Sequence, residues 1–411
     1  MNLFKIYSNL IAFREPRHWR GGNSFGCGTL FLFLLICTSS LKAEVLNIGI
    51  LANKKVTSFI FSPQVGSYTI YTENGKLTEV SIEDIIQLTF SNNQIVLKSL
   101  DKDYGTFKKV KFIGTSWRNS FKIKTHQPEG KLTFYEDNLL VSINNYYNQL
   151  SLINNVDIDN YVAGVVESEV GRSPPPEYFK LQVIICRTYV LKNIDRHQAE
   201  GFSLCDQVHC QAYNGQPKSN VIKNAAIETK NVVIVDSDIN LITATFYSNC
   251  GGQTANSEDV WSQNLYYLRS VTDTFCIKEN NAIWTKKIAK TDWINYLTNK
   301  YNFPKQETYE ECGLDYFQCR REQLFENQNI KIPLINLRKD WNLKSALFDV
   351  ITMDDDIILQ GKGYGHGVGL CQEGAMRMAK LGYSYSEILH FYYKNVHMID
   401  LHALDFFKED F

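Results

Sequence analysis

The chain has 411 residues, of which 44% are hydrophobic and 21% are charged. This composition is typical of a folded globular protein of two or three domains, and it excludes a disordered or low-complexity chain. The formal net charge of −1 argues against a nucleic-acid partner, because nucleic-acid-binding proteins usually carry a basic stripe.

Residues 1–43 have the three parts of a secretory signal peptide. A basic region precedes a short apolar run, residues 30–37, and Ala43 is a small residue at the expected cut site. The apolar run is too short to span a membrane. We therefore expect an exported protein of the periplasm or cell envelope. Two alternatives stay open, namely an uncleaved segment that anchors the protein to the membrane and lipid attachment at Cys37.

Eight cysteines follow the expected cut site, which suggests disulfide bonds in an exported protein. By proximity along the chain, Cys250 can pair with Cys276, and Cys312 with Cys319, although spacing does not determine connectivity. The full set is Cys186, Cys205, Cys210, Cys250, Cys276, Cys312, Cys319 and Cys371.

Residues 44–156 are predicted to form a β-rich module. Short apolar segments at 45–51 and 67–71 have strand character, and Asn74-Gly75 is a typical hairpin turn. No cluster of catalytic side chains occurs in this part of the sequence. We interpret it as a scaffold.

The following region, residues 157–400, mixes helices with strands, so we predict an α+β fold. Asp157 is a suitable N-cap for a helix that runs to about Glu169, with Gly171 as its stop. A proline-rich turn leads into a second helix at 177–196, whose apolar faces predict burial on most sides.

Later elements are predicted from the same signals. Strand-like segments occur at 231–235 and 242–247, and residues 283–343 are polar, aromatic and helical in character, as in an inserted or peripheral segment. The chain ends in a glycine-rich loop and two helices, the last of which begins with a capping box of Ser384 and Glu387.

Glu169 is the candidate catalytic acid. At a helix C-terminus the backbone carbonyl groups disfavour its ionisation, and burial acts in the same direction. Glu167 adds like charge, whereas Lys180 and Arg187 on the next helix oppose the effect. Such a carboxyl can act as a general acid. The alternative is a surface glutamate that pairs with a lysine.

A glycosidase with two carboxylates needs a second acid at a defined separation. Glu167 is only two residues from Glu169 and points elsewhere on a helix. No other nearby pattern supplies a partner, so a single-acid mechanism fits better.

A second group of residues has the spacing of metal ligands. The set consists of His197, Cys205, His209 and Cys210. Two imidazoles and two thiolates match a closed tetrahedral zinc site with a structural role. The alternative is one disulfide with two incidental histidines. No motif predicts an organic cofactor.

The loop at 361–369 carries glycine at alternate positions, with His366 between two of them. It lacks the Gly-Lys-Ser/Thr of a phosphate-binding loop. Glycine lets the backbone approach a ligand closely, and we expect His366 to be exposed at the loop tip. A structural turn and a catalytic histidine are the two alternatives.

Three blocks of the sequence resemble the SpoIID/LytB family, the stage II sporulation protein D domain. The first is DNYVAGVVESE at 159–169 with Leu181, Gln182 and residues 187–189. The second is Cys205-Asp206 with HCQAY at 209–213, and the third is GKGYGHGVGLCQEGA at 361–375. The blocks occur in family order, although Val170 and Gly171 replace a Met-Pro that often follows the glutamate of the family.

The resemblance implies a peptidoglycan lytic transglycosylase, whose substrate is the glycan strand of the bacterial cell wall. It places the acid on Glu169, and it implies substrate contacts by Lys180, Arg187, Ser248, His366 and Gln372. It also implies that the nucleophile is the C6 hydroxyl of the substrate's own N-acetylmuramic acid, and that the histidine and cysteine set holds a structural zinc ion.

Two other functions are compatible with the same residues. One is a non-catalytic wall-binding protein that enhances a cell-wall amidase. The other is an ordinary hydrolase that uses water, which differs from the transglycosylase only in its product.

Overall fold

The computed structural model describes residues 45–304, 313–327 and 330–404. The predicted export signal at 1–43 and the predicted partner Cys312 lie outside these ranges. In the described part of the chain, no helix is both long enough and apolar enough to cross a membrane.

The N-terminal part is built of strands, as the sequence predicts. They are β1 (Val45–Ile50), β2 (Ser58–Val65), β3 (Tyr68–Thr72), β4 (Gly75–Val80), β5 (Ile86–Ser91), β6 (Gln94–Lys98), β7 (Asp103–Phe107), β8 (Lys109–Gly114), β9 (Ser120–Gln127), β10 (Thr133–Glu136), β11 (Asn138–Asn144) and β12 (Gln149–Asp157). Along β12, buried residues alternate with partly exposed ones, so one face of that strand lies in the core. One antiparallel sheet has the order β10-β9-β2-β5-β6-β7.

The next part adds two long helices, of which the first packs against strands of the N-terminal part and the second packs mainly on other helices. It comprises α1 (Ile158–Val170), α2 (Pro176–Lys192), a short 3₁₀ helix (Gln198–Glu200), β13 (Leu204–Cys205), α3 (Asn220–Glu228), β14 (Val232–Val235), β15 (Phe246–Tyr247) and α4 (Ser257–Val260). β13 pairs in parallel with β1, which gives the second sheet the order β13-β1-β12-β11-β8-β3-β4. α2 ends at Lys192, earlier than predicted, and is buried along most of its length.

Residues 283–362 form a small module with its own hydrophobic core. It contains β16 (Ile283–Ala289), α5 (Lys290–Tyr301), β17 (Leu324–Asn327), β18 (Ile330–Pro333), α6 (Leu334–Asp340), β19 (Phe348–Met353) and β20 (Asp356–Lys362). The predicted peripheral segment is therefore longer than residues 283–343. It is also less helical than expected, because a sheet of order β16-β20-β19 carries it.

The chain then returns to the main core through β21 (Leu370–Cys371), α7 (Gln372–Lys380), α8 (Tyr385–Tyr392) and β22 (His397–Asp400). The predicted capping box of Ser384 and Glu387 is present. One continuous hydrophobic cluster runs from Leu46 in β1 to Val396 before β22. Strands and helices thus share a core, and the predicted α+β fold class is confirmed.

Candidate active site and metal-ligand cluster

Glu169 lies in the last turn of α1. Asp157 begins this helix by accepting hydrogen bonds from the backbone N–H groups of Asp159 (2.8 Å) and Asn160 (3.3 Å). Gly171 ends it with a positive φ of 69°, which glycine adopts without strain. The predicted cap and stop of the helix are both confirmed, and they fix Glu169 at its C-terminal end.

The carboxyl group of Glu169 is half-buried beside α2. Its Oε1 atom accepts a 3.0 Å hydrogen bond from the backbone N–H of Ala212. Its charge reaches the buried phenol of Tyr178 and the buried thiol of Cys186, and it raises the pKa of both groups beyond the effect of their burial. Burial raises the pKa of Glu169 itself, and the N–H of Ala212 opposes this only in part. The group therefore holds its proton to a higher pH than an exposed glutamate.

Glu167, two residues earlier, has the opposite environment. Its Oε2 accepts hydrogen bonds from the backbone N–H groups of Lys218 (2.8 Å) and Ser219 (2.9 Å). Its Oε1 forms a 2.7 Å ion pair with Arg172. Burial alone would raise the pKa of Glu167, but these donors lower it below the ordinary value. Burial, rather than the expected like charge of Glu167, accounts for the raised pKa of Glu169.

Two amide side chains, one buried and one half-buried, lie next to the groups that the charge of Glu169 reaches. Gln211 lies beside Cys186, and Gln372, the first residue of α7, lies beside Tyr178. Among the described residues, no hydrogen-bond partner satisfies Oε1 and Nε2 of Gln211 or Nε2 of Gln372. Since buried polar atoms are normally paired, these amides are suited to bind water or a ligand.

Arg187 does not reach the candidate acid, which corrects the sequence-based expectation. Its buried guanidinium forms a 2.7 Å ion pair with Asp159. It also donates hydrogen bonds at the C-terminal end of α3, to the carbonyl oxygens of Thr229 (2.7 Å), Val232 (3.1 Å) and Ala226 (3.3 Å). A buried guanidinium needs a carboxylate and further acceptors, and a helix C-terminus supplies them. The side chain expected to contact substrate is thus enclosed in the core.

Lys180 is also occupied elsewhere. Its Nζ forms ion pairs with Glu177 (3.0 Å) and Glu228 (2.9 Å) near the surface. These two carboxylates, rather than Glu169, neutralise the lysine and raise its pKa. A contact between Lys180 and substrate stays a prediction.

The four predicted metal ligands lie together. Sγ of Cys205 is 3.2 Å from Nε2 of His209 and 3.5 Å from Sγ of Cys210, which is 3.3 Å from Nε2 of His197. All four ligand atoms lie within 4.8 Å of one another. Ligands of a tetrahedral zinc ion stand roughly 3.3 to 3.8 Å apart, so this donor set fits zinc.

Neighbouring groups orient this cluster. Glu200 Oε1 lies 2.6 Å from Nδ1 of His197, which leaves Nε2 directed at the cluster. Cys205 belongs to β13, and the next residue, Asp206, accepts a 2.6 Å hydrogen bond from the backbone N–H of Leu51. The cluster is therefore tied to the N-terminal sheet on one side. On the other side, the same loop continues to Ala212.

His366 differs from its expected exposure. Its Nδ1 accepts a 3.1 Å hydrogen bond from the backbone N–H of Val368, so Nε2 is the nitrogen that donates to the carbonyl oxygen of Phe246 (3.1 Å). The ring packs between Tyr247 and Trp261. Burial lowers the pKa of His366 to about 4, and nearby arginines contribute. The imidazole is neutral at neutral pH and half-buried.

Ser248 lies after β15, in a different loop. Its hydroxyl accepts a 3.1 Å hydrogen bond from the side-chain amide of Asn281. Its carbonyl oxygen accepts a 3.0 Å hydrogen bond from the backbone N–H of Glu373, next to Gln372. The structure thus brings Ser248 and Gln372 into one neighbourhood. Their predicted contacts with substrate stay predictions.

Cys250 and Cys276 were expected to form a disulfide bond, but both are free cysteines in the structure. Their Sγ atoms lie 3.2 Å apart. Proximity along the chain correctly brought the two residues together, and two further buried side chains join them.

Sequence reasoning missed the hydrogen-bond donor to the candidate acid and the buried groups near it. The backbone N–H of Ala212 leaves no signature in a side-chain pattern, and Tyr178 and Gln211 have the character of ordinary core residues. The signal that could have found two of them is their position in a family block, since HCQAY at 209–213 contains both Gln211 and Ala212.

Comparison with known proteins gives a consistent result. The family model described as stage II sporulation protein, SpoIID, matches residues 146–235. That range contains Glu169 and the four residues of the metal-ligand cluster, whereas Ser248, His366 and Gln372 lie beyond it.

Three relatives show how far the similarity extends. An uncharacterized protein of Brachyspira hyodysenteriae is 28% identical over 263 residues, which cover 63% of this chain and 71% of its own. Stage II sporulation protein D of Bacillus subtilis is 27% identical over 290 residues, 64% of this chain and 80% of its own. The amidase enhancer of Bacillus subtilis is 25% identical over 284 residues, 56% of this chain and 39% of its own. The match at 146–235 and these relatives show that the chain is similar to the SpoIID/LytB family, as its motifs predicted.

Proposed function

We propose that this protein is an exported lytic transglycosylase that cleaves the glycan strands of peptidoglycan. Similarity to the SpoIID family model and to an amidase enhancer supports a role at the cell wall. The observation that carries the finer proposal is Glu169, a half-buried carboxyl whose pKa is raised by burial. A general acid needs this property in order to hold a proton until a leaving group takes it.

The reaction begins with proton transfer from Glu169. The proton moves to the oxygen that links C1 of N-acetylmuramic acid to N-acetylglucosamine, and the C1–O bond breaks as that oxygen leaves as a hydroxyl. The C6 hydroxyl of the same muramic acid forms the new bond to C1 and gives its proton to the Glu169 carboxylate. The products are a 1,6-anhydro end and a regenerated acid. Since the nucleophile comes from the substrate, one carboxyl is sufficient.

The contacts of Glu169 suit both halves of this cycle. The N–H of Ala212 stabilises the carboxylate that forms after the first proton transfer, while burial favours the return of the proton. Among the described residues, Nε2 of Gln372 next to Tyr178 and both polar atoms of the Gln211 amide next to Cys186 are unpaired and can meet a ligand. Lys180, Ser248 and His366 remain further candidates for contact with the sugars.

A zinc ion held by the histidine and cysteine cluster completes the proposal. Its ligands would be His197, Cys205, His209 and Cys210, and it would supply a structural crosslink rather than chemistry, since four protein ligands leave no open position. The loop that follows Cys210 carries the N–H donor to Glu169. A fixed loop therefore keeps the acid in place.

The test uses purified protein and two glycan substrates, intact peptidoglycan and strands from which an amidase has removed the stem peptides. Mass spectrometry identifies the route, because a 1,6-anhydro end is one water lighter than a hydrolytic end. We expect anhydro products from the wild type and none from Glu169→Gln. Glu167→Gln, which changes a carboxyl on the same helix, is the matched control and should still give anhydro products. Wild-type protein that binds strands but leaves their length unchanged would refute the proposed transglycosylase activity.

A non-catalytic enhancer of a cell-wall amidase is the second candidate, and similarity to an amidase enhancer favours it. An enhancer would bind strands and accelerate a purified amidase without shortening strands itself. Glu169→Gln separates the two functions, because an enhancer has no need of the acidic proton and should keep its effect on the amidase.

A further inference from the structure

A second group of metal-ligating side chains lies outside the candidate active site. Cys250, Asp273, Cys276 and Cys371 converge in the core, and all four residues are fully buried. Their ligand atoms lie within 4.8 Å of one another. Sγ of Cys250 is 3.2 Å from Oδ2 of Asp273 and 3.2 Å from Sγ of Cys276.

These four buried groups can be ionised together, as metal ligands are, only beside a positive charge. A carboxylate and three thiolates in the core are costly unless a cation compensates them. Within the described ranges, no lysine, arginine or histidine side chain forms a hydrogen bond or ion pair with the Asp273 carboxylate or with the three sulfur atoms. Arg321 donates a 2.8 Å hydrogen bond to the backbone carbonyl oxygen of Cys250, but not to a ligand atom, so the described residues supply the ligands of a cation without a cationic side chain bound to them.

Hydrogen bonds around the cluster orient its members as metal ligands. The phenol of Tyr392 donates to Oδ2 of Asp273 at 2.8 Å, and the backbone N–H of Phe275 donates to Oδ1 at 2.9 Å. Two further backbone N–H groups donate to Sγ of Cys371, those of Cys250 (3.3 Å) and Gly374 (3.4 Å). Donors of this kind stabilise thiolate and carboxylate ligands in the second layer of a metal site.

We propose that these four residues bind a second zinc ion in a closed, structural site. Three thiolates select a soft or borderline metal, and four buried protein ligands leave no position for water. A disulfide between Cys250 and Cys276 would use two of the four groups. It would leave Sγ of Cys371 and the Asp273 carboxylate, which lie within 4.8 Å of the same two sulfur atoms, outside the bond.

The position of the ligands indicates that this ion would act as a structural crosslink. Cys250 and Cys371 lie on either side of the module at 283–362, and the paired strands β15 and β21 lead into them. Asn249 and Tyr364 form a further bridge at the same place. A metal that joins segments 121 residues apart closes a long loop, which is where such a crosslink stabilises most. The ion would crosslink the two chain segments that connect the module to the main core.

The site also lies next to two candidate substrate contacts, a point that rests on the proposed function. Ser248 is two residues before Cys250, and Gln372 directly follows Cys371, the N-cap of α7. A metal that fixes both cysteines would therefore fix the backbone beneath both contacts.

Metal analysis of the full chain tests the site without any measurement of glycan cleavage. We expect one zinc ion per chain at each cluster in the wild type. Cys205→Ser/Cys210→Ser should lose the ion of the first cluster and keep the second. Adding Asp273→Asn and Cys371→Ser should remove the remaining zinc. Cys186→Ala, which removes a buried cysteine outside both clusters, is the matched control and should retain both ions.

X-ray absorption of the Cys205→Ser/Cys210→Ser protein keeps the test independent of how the quadruple variant folds. We expect three sulfur ligands at about 2.3 Å and one oxygen ligand at about 2.0 to 2.2 Å. Absence of zinc from that protein would overturn the proposal, as would a Cys250–Cys276 disulfide found by thiol titration and peptide mapping. Iron with inorganic sulfide would also overturn it.

Discussion

The backbone N–H of Ala212 donates a 3.0 Å hydrogen bond to Oε1 of Glu169. Ala212 lies two residues beyond Cys210, in the loop that carries most of the first metal-ligand cluster. The carboxyl at the end of α1 thus accepts its hydrogen bond from the loop that carries that cluster. This hydrogen bond connects the loop of the metal-ligand cluster to the proposed catalytic acid.

Glu169→Gln is the first prediction. The amide can still accept the N–H of Ala212 through its oxygen, but it has no acidic proton to give. Loss of a general acid reduces activity by about 10²- to 10⁴-fold or more. In the wild type, cleavage should decline as pH rises through the raised pKa of Glu169, because the acid must be protonated. Rates of anhydro-product release across pH measure both effects, and an unchanged rate in the variant would exclude Glu169 as the acid.

Loss of the first metal site is the second prediction. Cys205→Ser should remove zinc from that cluster and loosen the loop that holds Ala212 against Glu169. Disruption of groups that position a site typically costs about 10- to 100-fold in affinity or activity. Zinc content and the cleavage rate are measured on the same preparation. Unchanged zinc content would contradict the assignment of the cluster.

Arg187 and Lys180 lie on the same helix and should respond differently to substitution. Arg187→Met leaves Asp159 without its buried partner, and loss of one member of a buried ion pair costs about 3–5 kcal/mol in the free energy of unfolding. Lys180→Met removes ion pairs near the surface, which are worth about 0–1 kcal/mol. Urea unfolding of the two variants checks the difference. Equal losses in the free energy of unfolding would show that the buried Arg187–Asp159 pair stabilises the protein no more than the surface pairs of Lys180 do.

Local signals in the sequence were sufficient for several parts of this structure. Asp157 and Gly171 set the limits of α1, and the capping box begins α8, because caps act within a single turn of chain. The first metal-ligand cluster was also predictable, since its four members lie within fourteen residues of sequence.

Contacts between distant segments could not be predicted in this way. The spacing of Lys180 and Arg187 gave their common helix but not their partners, which for Arg187 lie on α1 and α3. The second cluster joins residues more than 100 positions apart, so the pattern at Cys250 and Cys276 suggested a local disulfide instead. Likewise, the glycines around His366 predicted an exposed tip, whereas packing against Tyr247 encloses the ring.

The half-buried imidazole of His366 should make the free energy of unfolding depend on pH. Its pKa is lowered to about 4 in the folded protein, whereas an unfolded histidine titrates near about 6.5. Between these two pH values the unfolded state binds more protons than the folded state. The contribution of His366 to the free energy of unfolding is therefore fully present above pH ~6.5 and is lost as pH falls toward about 4. Arg321 and Arg338 contribute to the lowered pKa.

The comparison of wild type with His366→Gln isolates this contribution, because other histidines titrate in both proteins. We expect the difference in the free energy of unfolding between pH 7 and pH 5 to be smaller in the variant. Chemical denaturation at the two pH values measures the free energy of unfolding of each protein. The same pH dependence in both proteins would show that His366 is not the group responsible.

Gly361 and Gly313 offer a test of packing in the module at 283–362. A methyl group at Gly361 would overlap the indole ring of Trp284, which is 6% exposed and fixed by a 3.0 Å hydrogen bond from Nε1 to Ser345. Gly361→Ala should therefore destabilise the protein by about 1–3 kcal/mol, the usual cost of overpacking. Among the described residues, none lies within 4 Å of a methyl group at Gly313, so Gly313→Ala is the matched control. Thermal unfolding of the two variants measures the contrast, and a Gly361→Ala protein as stable as the Gly313→Ala protein would mean that the indole ring moves aside freely.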